Sequence, residues 1–340
     1  MPPNSKTQAQ ARRQRLLAML ADGSFLSGEQ LAKKLKISRG GIWKLVRSLK
    51  ALGVEVESVP RQGYRLPRAV DLLDKEVITT TMPAATRALM QRFDVLLTVD
   101  STNRFLTDLA APEAGHFQLC TAEVQNAGRG RRGRSWVAPF GSGICMSMGW
   151  HFAEAPPAFS ALSLAVGVAV VKALRRLGVQ DVGLKWPNDL LWQSRKLGGI
   201  LIEMRGESAG PAQVIIGIGI NTHMPSSVRM QLAEREAALI ADIHEIMREK
   251  MPTRNVLIGT IATELLQMLQ TFTVRGFAPF LEEWLQLDTL ANAPVKVISG
   301  SQTTSGTARG VEADGTLLVE VDGQLRKFVS GEVSLRAAKG

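Results

Sequence analysis

Apolar residues recur at helical spacing through the first fifty positions. Residues 12–21 put Leu16, Leu17, Met19 and Leu20 on one side of an amphipathic helix. Ser27-Gly-Glu-Gln30 has the pattern of a capping box and opens a short helix to Leu35, with Leu31, Ala32 and Leu35 inward. Ser38 caps a further helix whose inner side is Ile42, Leu45, Val46, Leu49 and Leu52. Its outer side shows Arg39, Trp43, Lys44, Arg47 and Lys50. Val54–Val59, the turn Pro60-Arg-Gln-Gly63 and Tyr64–Leu66 then read as a hairpin with Arg61 at the tip. The pattern predicts a winged helix-turn-helix over residues 1–68; a basic three-helix protein-binding module is the alternative.

Residues 67–90 carry Pro67, Pro83 and a polar Thr79-Thr-Thr81 run, and read as a passage into the next domain. Strand-like apolar runs follow at 93–99, 117–124, 143–150, 182–186, 198–204 and 213–220. Helical patterns occupy 158–177, 254–274 and 277–286. This predicts an α+β domain with a mixed sheet over 69–290. From 291 to 340 short strands alternate with turns at Ser299-Gly-Ser301, Asp314-Gly315, Asp322-Gly323 and Ser330-Gly331, the spacing of a small β-barrel.

Charge sharpens the first domain. The chain of 340 residues has a net charge of +10, and residues 1–70 hold fourteen Lys/Arg against Asp22, Glu29, Glu55 and Glu57. The whole excess therefore lies on the helix-turn-helix module, as a nucleic-acid binder requires. Ser38, Arg39, Trp43, Lys44, Arg47, Lys50 and Arg61 are the candidate DNA contacts. No apolar run reaches the ~18 residues of a membrane span, and the polar N-terminus lacks a signal-peptide core, so a cytoplasmic protein with no membrane association is expected. Cys120 and Cys145 lie in strand-like segments without metal-ligand spacing and read as buried, reduced thiols.

The densest chemistry is Gly128-Arg-Gly-Arg-Arg-Gly-Arg134, between two strand-like segments. Glycine permits close backbone approach, and arginine supplies rigid forks for carboxylate and phosphate, so the stretch reads as a loop that closes over a polyanion, with a solvated charge run or a DNA-binding tail as the alternative. Asp100-Ser-Thr-Asn103 offers hydroxyls and an amide to a small polar head group, or simply caps a helix. Leu184-Lys-Trp-Pro-Asn-Asp189 and Arg195-Lys-Leu-Gly-Gly-Ile200 each bring a lysine to a strand boundary. Gly217-Ile-Gly-Ile-Asn221 lacks the third glycine of a dinucleotide fingerprint; its glycines imply close approach of a planar ligand or another backbone. A P-loop, a Ser/His/Asp set and zinc spacing are all missing. What remains is rich in Arg, Lys, Gly and amides and poor in general bases. Such a site suits joining a carboxylate to an α-phosphate, with Mg²⁺ neutralising the departing pyrophosphate.

Taken in order, Asp100-Ser-Thr-Asn, Gln125-Asn-Ala-Gly-Arg-Gly-Arg-Arg-Gly-Arg, Lys185-Trp-Pro-Asn-Asp, Arg195-Lys-Leu-Gly-Gly-Ile-Leu-Ile-Glu and Gly217-Ile-Gly-Ile-Asn resemble the motif set of the biotin protein ligases. The basic N-terminal module makes the chain similar to the bifunctional bacterial form, which also represses the biotin operon. The resemblance runs from about Arg13 to Ala338. It implies a winged helix, a class II synthetase-like ligase domain and a C-terminal SH3-like barrel. The implied chemistry uses biotin, ATP and Mg²⁺ to form biotinyl-5′-AMP, which then acylates a lysine of biotin carboxyl carrier protein. By motif, Ser101, Thr102, Asn103 and Gln125 would surround biotin, with Arg129, Gly130 and Arg131 closing over it. Arg132 and Arg134 would face phosphates, while Lys185, Asn188 and Asn221 would lie on the ATP side. Lys196, with Arg129 and Arg131, would neutralise the meeting anions; no protein metal ligand is assigned. An adenylate-loaded homodimer reading an inverted repeat in operator DNA is implied as well. The chain departs from the repressor pattern in having no tryptophan between Trp192 and Trp284; the matching stretch is Glu234-Arg-Glu-Ala-Ala-Leu239. A lipoate ligase, a ligase whose N-terminal domain does not repress, and a biotin-sensing transcription factor without catalysis are the alternatives.

Overall fold

Three helices, α1 (Ser5–Leu20), α2 (Gly28–Leu35) and α3 (Arg39–Ala51), and the hairpin β1 (Glu57–Val59) and β2 (Gly63–Arg65) enclose a cluster built on Leu16, Leu20, Leu31, Ile42, Val46 and Leu49. The structure is a computed structural model and describes residues 5–206, 211–236, 239–299, 301–330 and 333–337. Ser27 Oγ accepts from the Gln30 N–H (3.1 Å) and Gln30 Oε1 accepts from the Ser27 N–H (2.8 Å), so the capping box forms in full. Ser38 Oγ accepts from the Gly41 N–H at 3.1 Å and starts α3. The wing is pinned by a two-way backbone pairing of Tyr64 with Leu26, both bonds 2.9 Å. Gly63 is required there: its φ is 113°, and a Cβ would lie 2.1 Å from the Leu26 carbonyl oxygen.

Between this module and the central sheet lie two short helices, α4 (Lys75–Thr81) and α5 (Ala84–Ala88), where the sequence reads only as a passage. The polar threonines fit a helix because Thr79 and Thr81 return their hydroxyls to the carbonyls of Lys75 and Ile78. Strands β3 (Met90–Val99), β4 (Phe117–Gln125) and β5 (Gly143–Phe152) follow, with α6 (Thr102–Thr107) between the first two. After α7 (Leu162–Arg176) come β6 (Val182–Lys185), β7 (Asp189–Trp192), β8 (Arg195–Gly206) and β9 (Ala212–Asn221). The seven strands order as β3-β4-β5-β9-β8-β7-β6. Among the described strands of this sheet, β3 and β4 pair in parallel and the other neighbours antiparallel, which makes the sheet mixed. Helix α8 (Ser226–Glu236) lacks a clear apolar stripe, and strand β7 and the helix α9 (Ile243–Met247) are too short for periodicity to reveal.

Strands β5 and β9 are covered on both faces and so read as unbroken apolar runs. Ile144, Met146 and Met148 join the main core with α7, α10 (Arg254–Arg275) and α11 (Ala278–Leu287). The alternate residues Cys145 and Ser147 lie opposite Gly219 and Gly217 on the other face, which carries the chemistry.

The last strands, β10 (Pro294–Ser299), β11 (Gln302–Val311), β12 (Leu317–Val321), β13 (Gln324–Phe328) and β14 (Val333–Ala337), form an antiparallel sheet in the order β13-β12-β11-β10-β14. Val295, Val297, Leu317 and Val319 join the same core as the central sheet. Two expected turn glycines, Gly300 and Gly331, lie outside the described residues. Trp186 explains part of its motif here: it is buried, and its indole N–H donates to the Gly315 carbonyl (3.2 Å) across the boundary between the two sheets.

The segment joining the winged helix to the core is bolted down by a buried ionic group. Arg254, with no exposed surface, donates to Glu123 Oε2 (2.7 Å) and Asp71 Oδ1 (3.2 Å), and the Leu73 N–H donates to Glu123 Oε1 (2.7 Å). Burial disfavours the Arg254 charge, but Glu123 and Asp71 outweigh it and hold the guanidinium above its usual range. Beside it, Arg68 Nη2 donates to the Gly141 carbonyl at 2.6 Å.

Candidate functional site

A cleft of about 960 Å³, counting its open mouth, lies at the ends of β4, β8 and β9. Eleven of the sequence-predicted ligase residues line it: Ser101, Thr102, Asn103, Gln125, Arg129, Gly130, Arg131, Arg134, Asn188, Lys196 and Asn221. Two do not. Arg132 points outward on the loop, and Lys185 sits behind the lining, where it pairs with Asp189 (3.7 Å).

The Ser-Thr-Asn segment does both things its residue types allow. Ser101 caps α6 through a long 3.5 Å bond to the Arg104 N–H, and also lines the cleft. Gln125 Oε1 accepts from the Thr102 N–H at 2.8 Å. Ser147 Oγ lies 2.7 Å from Thr102 Oγ1 and 2.6 Å from Asn103 Oδ1. The amide oxygen accepts only, so the single Ser147 proton goes there, and the one Thr102 hydroxyl proton is shared between Ser147 Oγ and Gln125 Oε1, the latter 3.1 Å away. Asn103 Nδ2 then donates to Glu203 Oε2 (2.8 Å) and to the Leu201 carbonyl (3.2 Å). A continuous hydrogen-bonded wall thus runs from Gln125 to Glu203.

The two glycines of β9 make room for this wall and for its neighbour. A Cβ on Gly217 would lie 2.2 Å from Asn103 Oδ1, and one on Gly219 would lie 2.4 Å from Trp136 Cε2. The planar partners are side chains of the protein itself, a finer answer than sequence spacing provides.

The arginine loop is folded on itself: Gly130 N–H donates to the Arg134 carbonyl (2.7 Å), and Trp136 N–H to the Gly128 carbonyl (2.9 Å). Arg129 Nη2 donates to Glu203 Oε2 (2.9 Å). Arg131 reaches Asn188 Oδ1 (3.4 Å) and the Ser330 carbonyl of the C-terminal sheet. Opposite the loop, the Lys196 ammonium lies 2.9 Å from Asp189 Oδ1 and 5.8 Å from the centre of the Trp136 ring. Burial pushes the Asp189 carboxyl up, but Lys196 and Lys185 prevail and hold it below the usual carboxylate range. Burial also pulls the Lys185 ammonium down.

Asn188 Nδ2 donates to the Ile200 carbonyl (2.7 Å), and Asn221 Nδ2 to those of Lys196 (3.2 Å) and Ala241 (3.0 Å). Both amides therefore brace the backbone around Lys196 as well as lining the cleft. Leu232 and Ile240 close the side next to α8. In the stretch without tryptophan, Ala237 and Ala238 lie outside the described residues. Trp136, Ser147, Asp189 and Glu203 receive no role from sequence. Asp189 and Glu203 sit inside recognisable motifs, whereas nothing local to Trp136 or Ser147 marks either one.

The lining brings together three arginines and a lysine with no carboxylate and no imidazole among the described residues. It can neutralise anions and hold them together, but it has no group suited to proton abstraction. The two cysteines add no nucleophile: burial pushes both thiols up, that of Cys145 to about 12.

On the winged helix, Ser38, Arg39, Trp43, Lys44, Arg47, Lys50 and Arg61 are all exposed. Trp43 leaves 52% of its surface to solvent, and the Arg47 guanidinium stacks over its ring at 5.4 Å.

An HTH domain model matches residues 12–65, the biotin/lipoate A/B protein ligase family model matches 95–221, and the biotin protein ligase C terminal domain model matches 292–336. Fold and site thus define a ligase of the biotin type that carries its own helix-turn-helix domain. The bifunctional ligase/repressor BirA of Escherichia coli (strain K12) is 40% identical over 330 residues, covering 96% of this chain and 97% of that protein. Its namesake in Bacillus subtilis (strain 168) is 30% identical over 318 residues, or 93% and 95% of the two chains. The chain belongs to this bifunctional ligase/repressor family of biotin protein ligases. In three dimensions it resembles the biotin protein ligase from Aquifex aeolicus in complex with biotin and ATP, with a TM-score of 0.60 and 25% identity. That match covers 73% of this chain and 100% of the other.

Proposed function

We propose that the protein activates biotin with ATP to biotinyl-5′-AMP, transfers the biotinyl group to a lysine of biotin carboxyl carrier protein, and represses biotin genes when loaded with the adenylate. The observation that carries the chemical part is the convergence of Arg129, Arg131, Arg134 and Lys196 on one cleft, with Asp189 and Glu203 behind the lining as partners of Lys196 and Arg129. In the first step a biotin carboxylate oxygen attacks the α-phosphorus, a P–O bond forms, and the α–β bridge breaks to release pyrophosphate. The obstacle is repulsion between two anions, which Lys196 and the loop arginines offset in a partly desolvated cleft. In the second step the carrier amine attacks the carbonyl carbon, AMP leaves with the bridging oxygen, and the amine loses a proton.

In this reading Ser101, Thr102, Asn103 and Gln125 form the biotin end, and Arg134 with outward-facing Arg132 meets the phosphates. Asn188, Asn221 and Lys185 support the ATP end. Leu232 and Ile240 supply apolar cover for the base in place of a tryptophan. The described residues do not fit a resident Mg²⁺: no three His, Cys, Asp or Glu side chains converge, and Asp189 is already paired with two lysines. The ion would arrive on the triphosphate.

The exposed face of α3 with the Arg61 wing tip is the proposed DNA surface, presented twice by a ligand-dependent homodimer to an inverted repeat. We place the domain boundaries near residues 68 and 290. Among the described residues no helix is long and apolar enough to cross a membrane, and we propose a cytoplasmic location.

Exchange of labelled pyrophosphate into ATP tests the ligase. Exchange driven by biotin and not by lipoate supports it, and the reverse preference moves the protein to the lipoate ligases. Capture of genomic DNA with and without biotin plus ATP tests the repressor. Enrichment of one inverted repeat only with both ligands is expected; ligand-indifferent binding would leave a ligase with a non-repressing N-terminal domain.

A further inference from the structure

Glu203 ends the Arg195–Glu203 motif and has no part in the chemistry above. It sits on β8 opposite Ile215 of β9, and its Oε2 serves two donors of different kinds. One is the Asn103 amide, 3% exposed, at 2.8 Å. The other is the Arg129 guanidinium at 2.9 Å, in a pair whose side chains are 43% exposed for Arg129 and 29% for Glu203.

Asn103 is held on every side by Ser147, the Leu201 carbonyl and bare Gly217, so a neutral acceptor would satisfy it. Only a negative charge also attracts the arginine. The loop from Gly128 to Trp136 is closed by its own backbone bonds and so holds together as a unit. One corner is held at Arg131 by Asn188 and Ser330, and the other at Arg129 by Glu203.

We propose that Glu203 is a positioning residue that couples the polar wall of the biotin pocket to closure of the arginine loop, and so retains the adenylate between the two steps. The inference rests on the ligase reading above. Glu203→Gln separates its two duties, since the amide still accepts from Asn103 but no longer holds Arg129 by charge.

The test is limited trypsin digestion of the full chain, which reads loop opening directly because the loop supplies the cleavable arginines. It is paired with the rate at which preformed biotinyl-5′-AMP is lost to an excess of unlabelled biotin. Without ligand, Glu203→Gln is cut at the loop about two- to five-fold faster than the unaltered protein, the range set by a half-exposed ion pair. Adenylate loss quickens by a similar factor, and the biotin KM rises while kcat for exchange does not fall. Ser147→Ala, which frees Asn103 on one side but leaves Glu203 its charge for Arg129, weakens biotin binding and speeds loop cleavage by a smaller factor than Glu203→Gln does. Equal cleavage and equal adenylate loss for Glu203→Gln and the unaltered protein would overturn the inference, as would faster cleavage in Ser147→Ala than in Glu203→Gln. Should no biotin-dependent exchange occur at all, the ligase reading falls, and the ligand-free cleavage ratio still decides whether Glu203 holds the loop.

Discussion

Replacing Gly219 by alanine puts one methyl group between β9 and the indole of Trp136. The added carbon would lie 2.4, 2.6 and 2.8 Å from Cε2, Cζ2 and Nε1 of that ring. Carbon atoms rest at about 3.5–4.0 Å, so the ring has to retreat by about 1 Å or more. It is rigid, it is flanked by Lys196 at 5.8 Å from its centre, and its backbone is tied to Gly128, so retreat means displacement into the cleft. Overpacking of this kind costs about 1–3 kcal/mol. If the strain is relieved by moving Trp136, the expected loss of biotin affinity is about five- to a hundred-fold. Titration calorimetry measures the affinity, and Trp136 fluorescence reports the ring. A cycle with Trp136→Ala isolates the cause, because the methyl group on Gly219 should cost stability only while the indole is present. Unchanged affinity together with unchanged fluorescence, or a full stability penalty in the Trp136→Ala background, would refute the reasoning.

Lys196→Gln removes the cation between the two reacting anions, and biotin-dependent pyrophosphate exchange should fall about 10²–10³-fold with the fold retained by circular dichroism. Arg254→Met leaves Glu123 and Asp71 buried or half-buried without their partner. It should cost about 3–5 kcal/mol in chemical denaturation, and a loss near zero would show that the network relaxes into water. Asp189 supplies a pH signature. Its carboxyl lies below the unfolded value in the native state, so its stabilising contribution is present above about pH 4 and is lost as pH falls through the folded value. The acid limb of the stability curve should therefore be shallower in Asp189→Asn, and an unchanged limb would deny the pairing with Lys196. On the winged helix, Arg47→Ala should weaken DNA binding and lower the slope of log affinity against log salt by about one if Arg47 meets a phosphate.

Much of this was legible because its causes are local. Caps at Ser27 and Ser38, helical spacing of Leu16 to Leu49 and the basic outer face of α3 depend on neighbours a few residues apart, so sequence alone determined the winged helix and its charge. The ligase motifs were legible for a similar reason: residues that approach a polyanion must be glycine, arginine, lysine or amide wherever they fall. Short β7, α4, α5 and α9 were not, since four to seven residues without a Ser-x-x-Gln capping box or a Pro-to-Gly turn carry too little periodicity, and α8 was not because its apolar residues form no clear stripe.

The connections between motifs belong to the tertiary structure. Strand pairing sets Ser147 against Gly217 and Cys145 against Gly219, so each β9 glycine faces a side chain far away in sequence, Asn103 or Trp136. The Trp-Pro-Asn-Asp segment divides by side of the chain: Trp186 seals the C-terminal sheet to the core while Asp189 holds Lys196. Glu203 unites a buried amide and a loop arginine 100 and 74 residues away. Residue type determines what a side chain is able to do; which partner it meets depends on register and packing, which no local pattern encodes.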